Sequence, residues 1–224
     1  MLDGLVQALI LVPPLLMAIT FHEAAHGFAA YRYGDDLAKQ RGRLTLNPIA
    51  HIDLFGTILL PLMLFILPGG FIFGYAKPVP VNVAALRNPR WDMAKVAFAG
   101  PAMNFLLAGV SAALMPLVGL LPAQSAFILL KMLDISIFFN ILLGVFNLLP
   151  MPPLDGGRVL TALLPATFIP FMRRVERFGF LLIIGLFFLA PMALAEAGVQ
   201  FNPFGTLVLT PALWLAEGLV GLVA

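Results

Sequence analysis

The fold is decided by residues 9–33, LILVPPLLMAITFHEAAHGFAAYRY, because a long apolar run there contains three ionisable side chains. The run begins near residue 5, and residues 5–19 contain a single polar side chain. It exceeds the ~20 residues that a helix needs to cross a bilayer. His22, Glu23 and His26 lie inside it, where burial of an ionisable group is costly and marks a functional site. The stretch therefore predicts a membrane-spanning helix that carries a polar site.

The composition of the whole chain points to the same class. Of the 224 residues, 61% are hydrophobic and 11% are charged, whereas a soluble domain is about 45–50% apolar and about 25% charged. We expect an all-α polytopic membrane protein, folded as one domain over residues 1–224. The absence of cysteine excludes disulfides and thiolate metal ligands. A net charge of +2, spread along the chain, argues against nucleic acid as a partner.

Five apolar segments are near or above the length of a membrane span. They comprise residues 5–33, 94–121, 126–149, 178–197 and 204–223. A sixth, residues 54–76, is interrupted by Pro68-Gly69-Gly70. If it enters and leaves the membrane on one side, twelve of the thirteen Lys and Arg residues share that side, and Lys131 alone lies opposite. The positive-inside rule favours this re-entrant arrangement over a span, which would divide the basic residues five against eight.

Two polar stretches between the apolar segments have the character of short β-strands. GRLTL, residues 42–46, is followed by Asn47-Pro48, and KPVPVNV, residues 77–83, alternates in a way that suits an edge strand. We expect both on the cytoplasmic side of the membrane. The second is a candidate edge for an extended substrate, with a plain surface connector as the alternative.

His22 and His26 are four residues apart, so on a helix they lie on one face, one turn apart. Glu23 can reach a water molecule held by a metal ion on that face. This H-E-x-x-H pattern supplies two imidazole ligands for zinc and a carboxylate general base. A pair of core histidines that hydrogen-bond between helices is the structural alternative.

A hydrolytic zinc site usually has three protein ligands and one open position. The third histidine, His51, lies in a polar connector. The site should lie about 13 Å below the surface, by the helical rise from Arg32 back to Glu23. Asp155 lies in NLLPMPPLDGGR, residues 147–158, where prolines end an apolar helix, so we expect it in an unwound segment. It is the stronger candidate for the third zinc ligand. An aspartate before two glycines is also typical of a helix N-cap or a turn.

Together these motifs resemble the site-2 protease family of intramembrane zinc metalloproteases. Residues 22–26 match its H-E-x-x-H motif, and residues 147–156 match its Asn-x-x-Pro-(x)4-Asp-Gly motif in spacing. Residues 100–104, GPAMN, resemble its Gly-Pro-x-x-Asn element. The similarity covers a catalytic core of three helices, about residues 5–158, which further helices follow at about residues 178–223. Some members carry a PDZ or CBS domain, and we expect this chain to be a small form without either.

The resemblance implies one zinc ion per chain, bound by His22, His26 and Asp155. It also implies that Glu23 is the catalytic base and that Asn147 lines the active site and contacts substrate. The implied activity is hydrolysis of peptide bonds in or near transmembrane segments of membrane-protein substrates, as in regulated intramembrane proteolysis. We expect a multi-pass protein of the plasma membrane, and the charge count puts the active site toward the cytoplasm.

A membrane transporter or channel with an intramembrane metal site is the main alternative, since it also places charges and re-entrant segments within the bilayer. It would not need a glutamate beside a histidine pair and a third ligand. A metal-binding scaffold without catalysis would not need Glu23 either.

The charge distribution predicts a topology that labelling can test. Because the chain has no cysteine, single cysteines introduced at Lys39, Arg90, Arg173 and Lys131 can each be labelled selectively. With residues 54–76 re-entrant, the first three should react from the cytoplasmic side and the fourth from the opposite side. Reaction of the Arg90 position from the outside would show that residues 54–76 span the membrane.

Overall fold

The computed structural model describes residues 2–59, 63 and 76–223, and this part of the chain is mostly helical. The principal helices in chain order are α1 Leu2–Arg32, α2 Pro89–Leu114, α3 Ala123–Asn147, α4 Asp155–Leu163, α5 Ile169–Arg177, α6 Gly179–Glu196 and α7 Gly205–Gly221. Shorter helical turns occur at Leu37–Gln40, Pro48–His51, Leu54–Leu59, Val83–Ala85, Met115–Leu120 and Ala166–Phe168.

Within the described residues, four helices are long and apolar enough to cross a membrane. They are Val6–Arg32, Pro89–Leu120, Ala123–Asn147 and Gly179–Glu196. The expectation of an all-α polytopic membrane protein is confirmed at this level. The fifth predicted span forms the apolar helix α7, which is shorter than the other four. Of the predicted re-entrant element, the helical turn Leu54–Leu59 is seen, and most of the rest lies outside the described residues.

The structure forms no β-strand in the residues it describes, so neither predicted strand is observed. Residues 42–46 form a turn and bends, while residues 76–82, which we call the strap, have no regular secondary structure and no paired strand. Two causes are visible in the strap. Pro78 and Pro80 have no N–H group to donate to a neighbouring strand. The N–H groups of Val79 and Asn82 donate instead to side-chain carboxylates.

Helices α1, α2 and α3 form the core that positions the site, and α2 runs antiparallel to α1. Asn104 Nδ2 donates to Ala18 O at 3.1 Å, and two turns earlier in α2 the carbonyl of Val96 accepts from His26 Nδ1 at 2.8 Å. Gly100 lies midway between these contacts and has no side chain to keep the helices apart. The two hydrogen bonds therefore fix the register of α1 against α2.

Helix α3 is antiparallel to α2. Asn140 Oδ1 accepts from Asn104 Nδ2 at 2.9 Å, and further along the pair Ser136 Oγ lies 2.8 Å from Ser111 Oγ. Buried apolar side chains surround these polar contacts and pack α2, α3 and α7 together; they are Ala108, Ala112, Ile137, Ile141 and Ala212. Interhelical hydrogen bonds of this kind help to hold helices together where lipid gives no hydrophobic drive.

The short helix α4 packs against α2 and begins with Asp155. The expectation of an unwound segment is therefore wrong for Asp155 itself and holds for residues 148–154, which contain no helix. Arg90, near the start of α2, holds the other end of α4 by donating to the carbonyls of Ala162 and Leu164. These carbonyls lie at a helix C-terminus, where side-chain donors commonly satisfy them.

The strap is fastened at its C-terminal end by the buried carboxylate of Asp35. Its Oδ1 accepts from Leu37 N at 3.0 Å and its Oδ2 from Asn82 N at 2.6 Å. We expect Asp35→Ala to destabilise the fold by about 1–3 kcal/mol, since it leaves these N–H groups without their acceptor. The measurement is the thermal unfolding midpoint in detergent. Asp36→Ala is the matched control, because Asp36 is exposed and makes no capping hydrogen bond. Equal midpoints for the two variants would contradict this role of Asp35.

Candidate metal centre

Three potential metal ligands from two helices converge at one point. His22 Nε2 and His26 Nε2 on α1 lie 3.0 Å apart. Asp155 Oδ2 on α4 lies 3.3 Å from each of them. All three residues are buried, and they form a group that could hold a metal ion. Tetrahedral zinc with ligand bonds of about 2.0–2.1 Å separates its ligand atoms by about 3.3–3.4 Å, so the spacing fits zinc.

The hydrogen bonds of the two imidazoles leave both Nε2 atoms free to bind a metal. His26 Nδ1 lies 2.8 Å from the carbonyl oxygen of Val96, which can only accept, so the proton is on Nδ1. His22 Nδ1 lies 2.6 Å from Asn104 Oδ1. Both amide hydrogens of Asn104 point elsewhere, to Ala18 O and Asn140 Oδ1, so its oxygen faces His22. Each imidazole therefore presents an Nε2 lone pair, as a ligating histidine does.

Asp155 supplies independent support for a cation at this point. Its Oδ2 is buried and receives no hydrogen bond from the residues that the structure describes. Its nearest polar neighbours are the two Nε2 atoms, which carry lone pairs rather than protons. A buried carboxylate oxygen without a donor is costly, and a bound cation removes the cost. The donor set of two imidazoles and one carboxylate fits the ligand preference of catalytic zinc, with one position open.

The local sequence explains how Asp155 reaches the centre. The chain between α3 and α4 folds back over the start of α4, so the carbonyl oxygens of Leu148 and Leu149 pack against the Cα of Gly156. A Cβ there would collide with both carbonyls, so Asp155 must be followed by glycine for this close turn. An acidic residue in the first turn of a helix is also favoured by the helix dipole.

Glu23 follows His22 and is half-buried. Its Oε2 accepts a hydrogen bond from the N–H of Val79 in the strap at 2.8 Å. The strap lies against α1 here, since a Cβ on Gly27 would be 3.2 Å from Val79 Cγ1. The structure thus holds the carboxylate of the predicted base against the strap.

Two other residues from the sequence analysis make hydrogen bonds to backbone carbonyls rather than to the ligands. Asn147 Nδ2 donates to Leu143 O on its own helix at 3.0 Å, and its contact with substrate stays a prediction. His51 is buried, with Nε2 at 2.9 Å from Thr45 O. His51 is not in the group of ligands that the described residues bring together.

Sequence reasoning missed Asn140 and quoted Asn104 only as part of a motif. Both are fully buried in the three-helix core, and Asn104 contacts His22 directly. The available signal was an asparagine in the apolar run FFNILLGVF, residues 138–146, since a polar residue inside a span is a functional candidate.

These features define the class: a polytopic membrane protein with a His-His-Asp centre inside its helical core. The family model described as Peptidase family M50 matches residues 10–126 and 114–191. The chain therefore belongs to peptidase family M50, the family of the site-2 proteases, and the predicted resemblance is confirmed.

Similar proteins carry names that agree with this family. YwhC of Bacillus subtilis, named as a candidate zinc metalloprotease, is 40% identical over 207 residues, which are 91% of this chain and 85% of YwhC. Rip2 of Mycolicibacterium smegmatis, named in the same way, is 32% identical over 181 residues, 76% of this chain and 63% of Rip2. Rip2 of Mycobacterium tuberculosis is 34% identical over 146 residues, 63% of this chain and 52% of that protein. No solved structure matches this chain significantly.

The packing at Gly100 predicts how the centre can be weakened without removing a ligand. A Cβ at this position would lie 2.5 Å from His26 Nε2 and 2.6 Å from His22 Cε1. Gly100→Ala should therefore displace both imidazoles and raise the zinc dissociation constant roughly 10- to 100-fold. The measurement is competition with a chelator of known affinity. Gly109→Ala on the same helix is the matched control, since a Cβ there meets nothing within 4 Å. Equal zinc affinity for both variants would contradict the packing.

Proposed function

We propose that this protein is an intramembrane zinc metalloprotease that hydrolyses peptide bonds in or near transmembrane segments of membrane-protein substrates. In this proposal one zinc ion is held by His22, His26 and Asp155. Glu23 is the catalytic base, and Asn147 lines the active site. Regulated intramembrane proteolysis at the plasma membrane, with the site toward the cytoplasm, is the physiological role that the charge distribution and the family support.

One observation carries the proposal: three buried metal-ligating atoms converge at one point, and one of them belongs to His22, the neighbour of Glu23 in the sequence. Membership in peptidase family M50 and the zinc metalloprotease names of the similar proteins support it. They also favour proteolysis over the alternative of a transporter or channel.

The chain's own residues supply the proton transfers of peptide hydrolysis. Zinc, when bound, makes water more acidic and polarises the substrate carbonyl. Glu23 accepts a proton from the attacking water as the water oxygen bonds to the carbonyl carbon. The protonated Glu23 then donates that proton to the amide nitrogen, and the carbon–nitrogen bond breaks to release an acid and an amine. The hydrogen bond from Val79 N–H to Oε2 orients the Glu23 carboxylate for both transfers.

The strap is our candidate for the substrate-binding edge. The peptide groups of a transmembrane helix are sequestered in internal hydrogen bonds, so a substrate must unwind locally before it can be cut. Extended backbone can hold such an unwound segment by main-chain hydrogen bonds. Pro78 and Pro80 can contribute only carbonyl acceptors, so pairing with these two residues requires N–H donors from the substrate. The apolar residues 54–76 are proposed to line or gate the path by which substrate reaches the metal centre.

Glu23→Gln tests the catalytic assignment. Glutamine keeps an oxygen that can accept from Val79 N–H but cannot take a proton. The variant should fold, keep about one zinc per chain and lose cleavage of a model membrane substrate by at least about 100-fold. Metal content and cleavage in detergent or liposomes are the two measurements.

Glu217→Gln is the control for this experiment, because Glu217 is exposed on α7 and should behave as the wild type. Wild-type turnover in Glu23→Gln would eliminate Glu23 as the base. Zinc accumulation by proteoliposomes that hold the wild-type protein, without any peptide cleavage, would instead favour the transporter class.

A further inference from the structure

Two asparagines in the three-helix core form a hydrogen-bonded chain that leads to His22. Asn140 on α3 is 1% exposed and Asn104 on α2 is 0% exposed. Because neither side chain is open to solvent, the orientation of each amide is set by its protein neighbours. Asn140 takes no part in the zinc binding or proton transfers proposed for the centre.

The series of hydrogen bonds starts at the backbone carbonyl of Ser136, which can only accept. Asn140 Nδ2 lies 2.9 Å from the Ser136 carbonyl oxygen and 3.2 Å from Ser136 Oγ, so the amide nitrogen of Asn140 faces its own helix. Its oxygen then faces Asn104 and accepts from Asn104 Nδ2 at 2.9 Å. The second hydrogen of Asn104 Nδ2 is donated to the carbonyl of Ala18 at 3.1 Å.

These contacts decide which nitrogen of His22 carries the proton. With both hydrogens of Asn104 Nδ2 committed, Asn104 Oδ1 faces His22 Nδ1 at 2.6 Å and accepts its proton. If the Asn104 amide were reversed, its oxygen would face two other acceptors, Ala18 O and Asn140 Oδ1. Its nitrogen would then donate to His22 Nδ1, and the proton of a neutral imidazole would move to Nε2, the atom that must bind the metal.

We propose that Asn140 is a positioning residue for the metal centre, which acts through Asn104 to keep His22 in the tautomer with the proton on Nδ1. The inference rests on the proposed function, since it concerns the readiness of His22 to bind zinc. Asn140 touches neither His22 nor a reacting atom, and its effect is transmitted by the orientation of one amide. Ser111, whose hydroxyl pairs with Ser136 Oγ, lies at the far end of the chain and does not orient that amide.

Nitrogen NMR of histidine side chains tests this directly. The chain has three histidines, so labelling with 15N-histidine gives signals from His22, His26 and His51 alone. We expect metal-free protein, at a pH at which all three histidines give the signals of neutral imidazole, to hold His22 and His26 as the Nδ1–H tautomer. His51, whose Nε2 faces Thr45 O, should be the Nε2–H tautomer. In Asn140→Leu the His22 signals should shift toward the Nε2–H tautomer.

The same spectrum contains its own controls. His26 bonds to the backbone carbonyl of Val96, so it should keep the Nδ1–H tautomer in Asn140→Leu and report that the core is intact. Ser111→Ala removes a hydroxyl from the same helix interface and should leave all three histidines unchanged. Asn140→Ala serves as the second variant if the leucine is not accommodated. An Nε2–H tautomer of His22 in the wild type, or an unchanged His22 in a folded Asn140 variant, would overturn the inference.

Zinc affinity gives a second readout and separates the inference from the proposed function. Asn140→Leu should raise the zinc dissociation constant roughly 10-fold, and Asn104→Leu roughly 10- to 100-fold. Because Asn140 acts through Asn104, adding Asn140→Leu to Asn104→Leu should change the constant by no more than about twofold. Independent, multiplying effects of the two changes would contradict the relay. Failure of the wild type to bind zinc would refute the proposed function, whereas the tautomer result would be unaffected.

Discussion

The structure depends on the close approach of α1 and α2 at Gly100. Two imidazoles on adjacent turns of α1 point at α2, and their Nε2 atoms can meet a third ligand only if the facing helix has no side chain there. Hydrogen bonds on either side of the glycine, from Asn104 to Ala18 and from His26 to Val96, hold the two helices in one register. A shift of α2 by one residue would break both bonds and place a side chain against the histidines.

The polar groups of the core follow from the cost of burial in an apolar surrounding. Between Ser111 and His22, each buried polar side chain is satisfied by the next one or by a backbone carbonyl. At the His22 end of this series, two Nε2 lone pairs face the unpartnered Oδ2 of Asp155. Three electron-pair donors within about 3.3 Å repel one another unless a cation or a proton lies between them. The two Nε2 atoms and Asp155 Oδ2 therefore form a position in the core that favours a cation.

Motif spacing predicted which three residues the structure brings together, because the spacing of residues along a helix decides which side chains share a face. An i, i+4 pair of histidines faces one way on any helix, and the prolines after Asn147 mark where a helix must end. The prediction of two strands was wrong because an alternating pattern does not show which strand would pair with it. In the strap, N–H groups donate to side-chain carboxylates instead of to a neighbouring strand. Asn140 was missed because it acts on His22 only through Asn104, and the sequence does not show which of these residues contact one another. The start of α4 at Asp155 was missed because the prolines before it indicated an unwound segment, whereas Gly156 and Gly157 allow a tight entry into a helix.

The strap connects Glu23, the proposed base, to chain segments outside the metal centre. Its N–H groups bind two carboxylates of the α1 region, Glu23 in the helix and Asp35 just beyond it. Lys77 adds a third tie at the N-terminal end, because its N–H donates to His51 O at 2.9 Å. Any movement of the strap away from α1 must break the Val79–Glu23 hydrogen bond and so release Glu23 Oε2. The orientation of the Glu23 carboxylate therefore depends on the position of the strap, and a peptide bound along the strap, as proposed, would act on both.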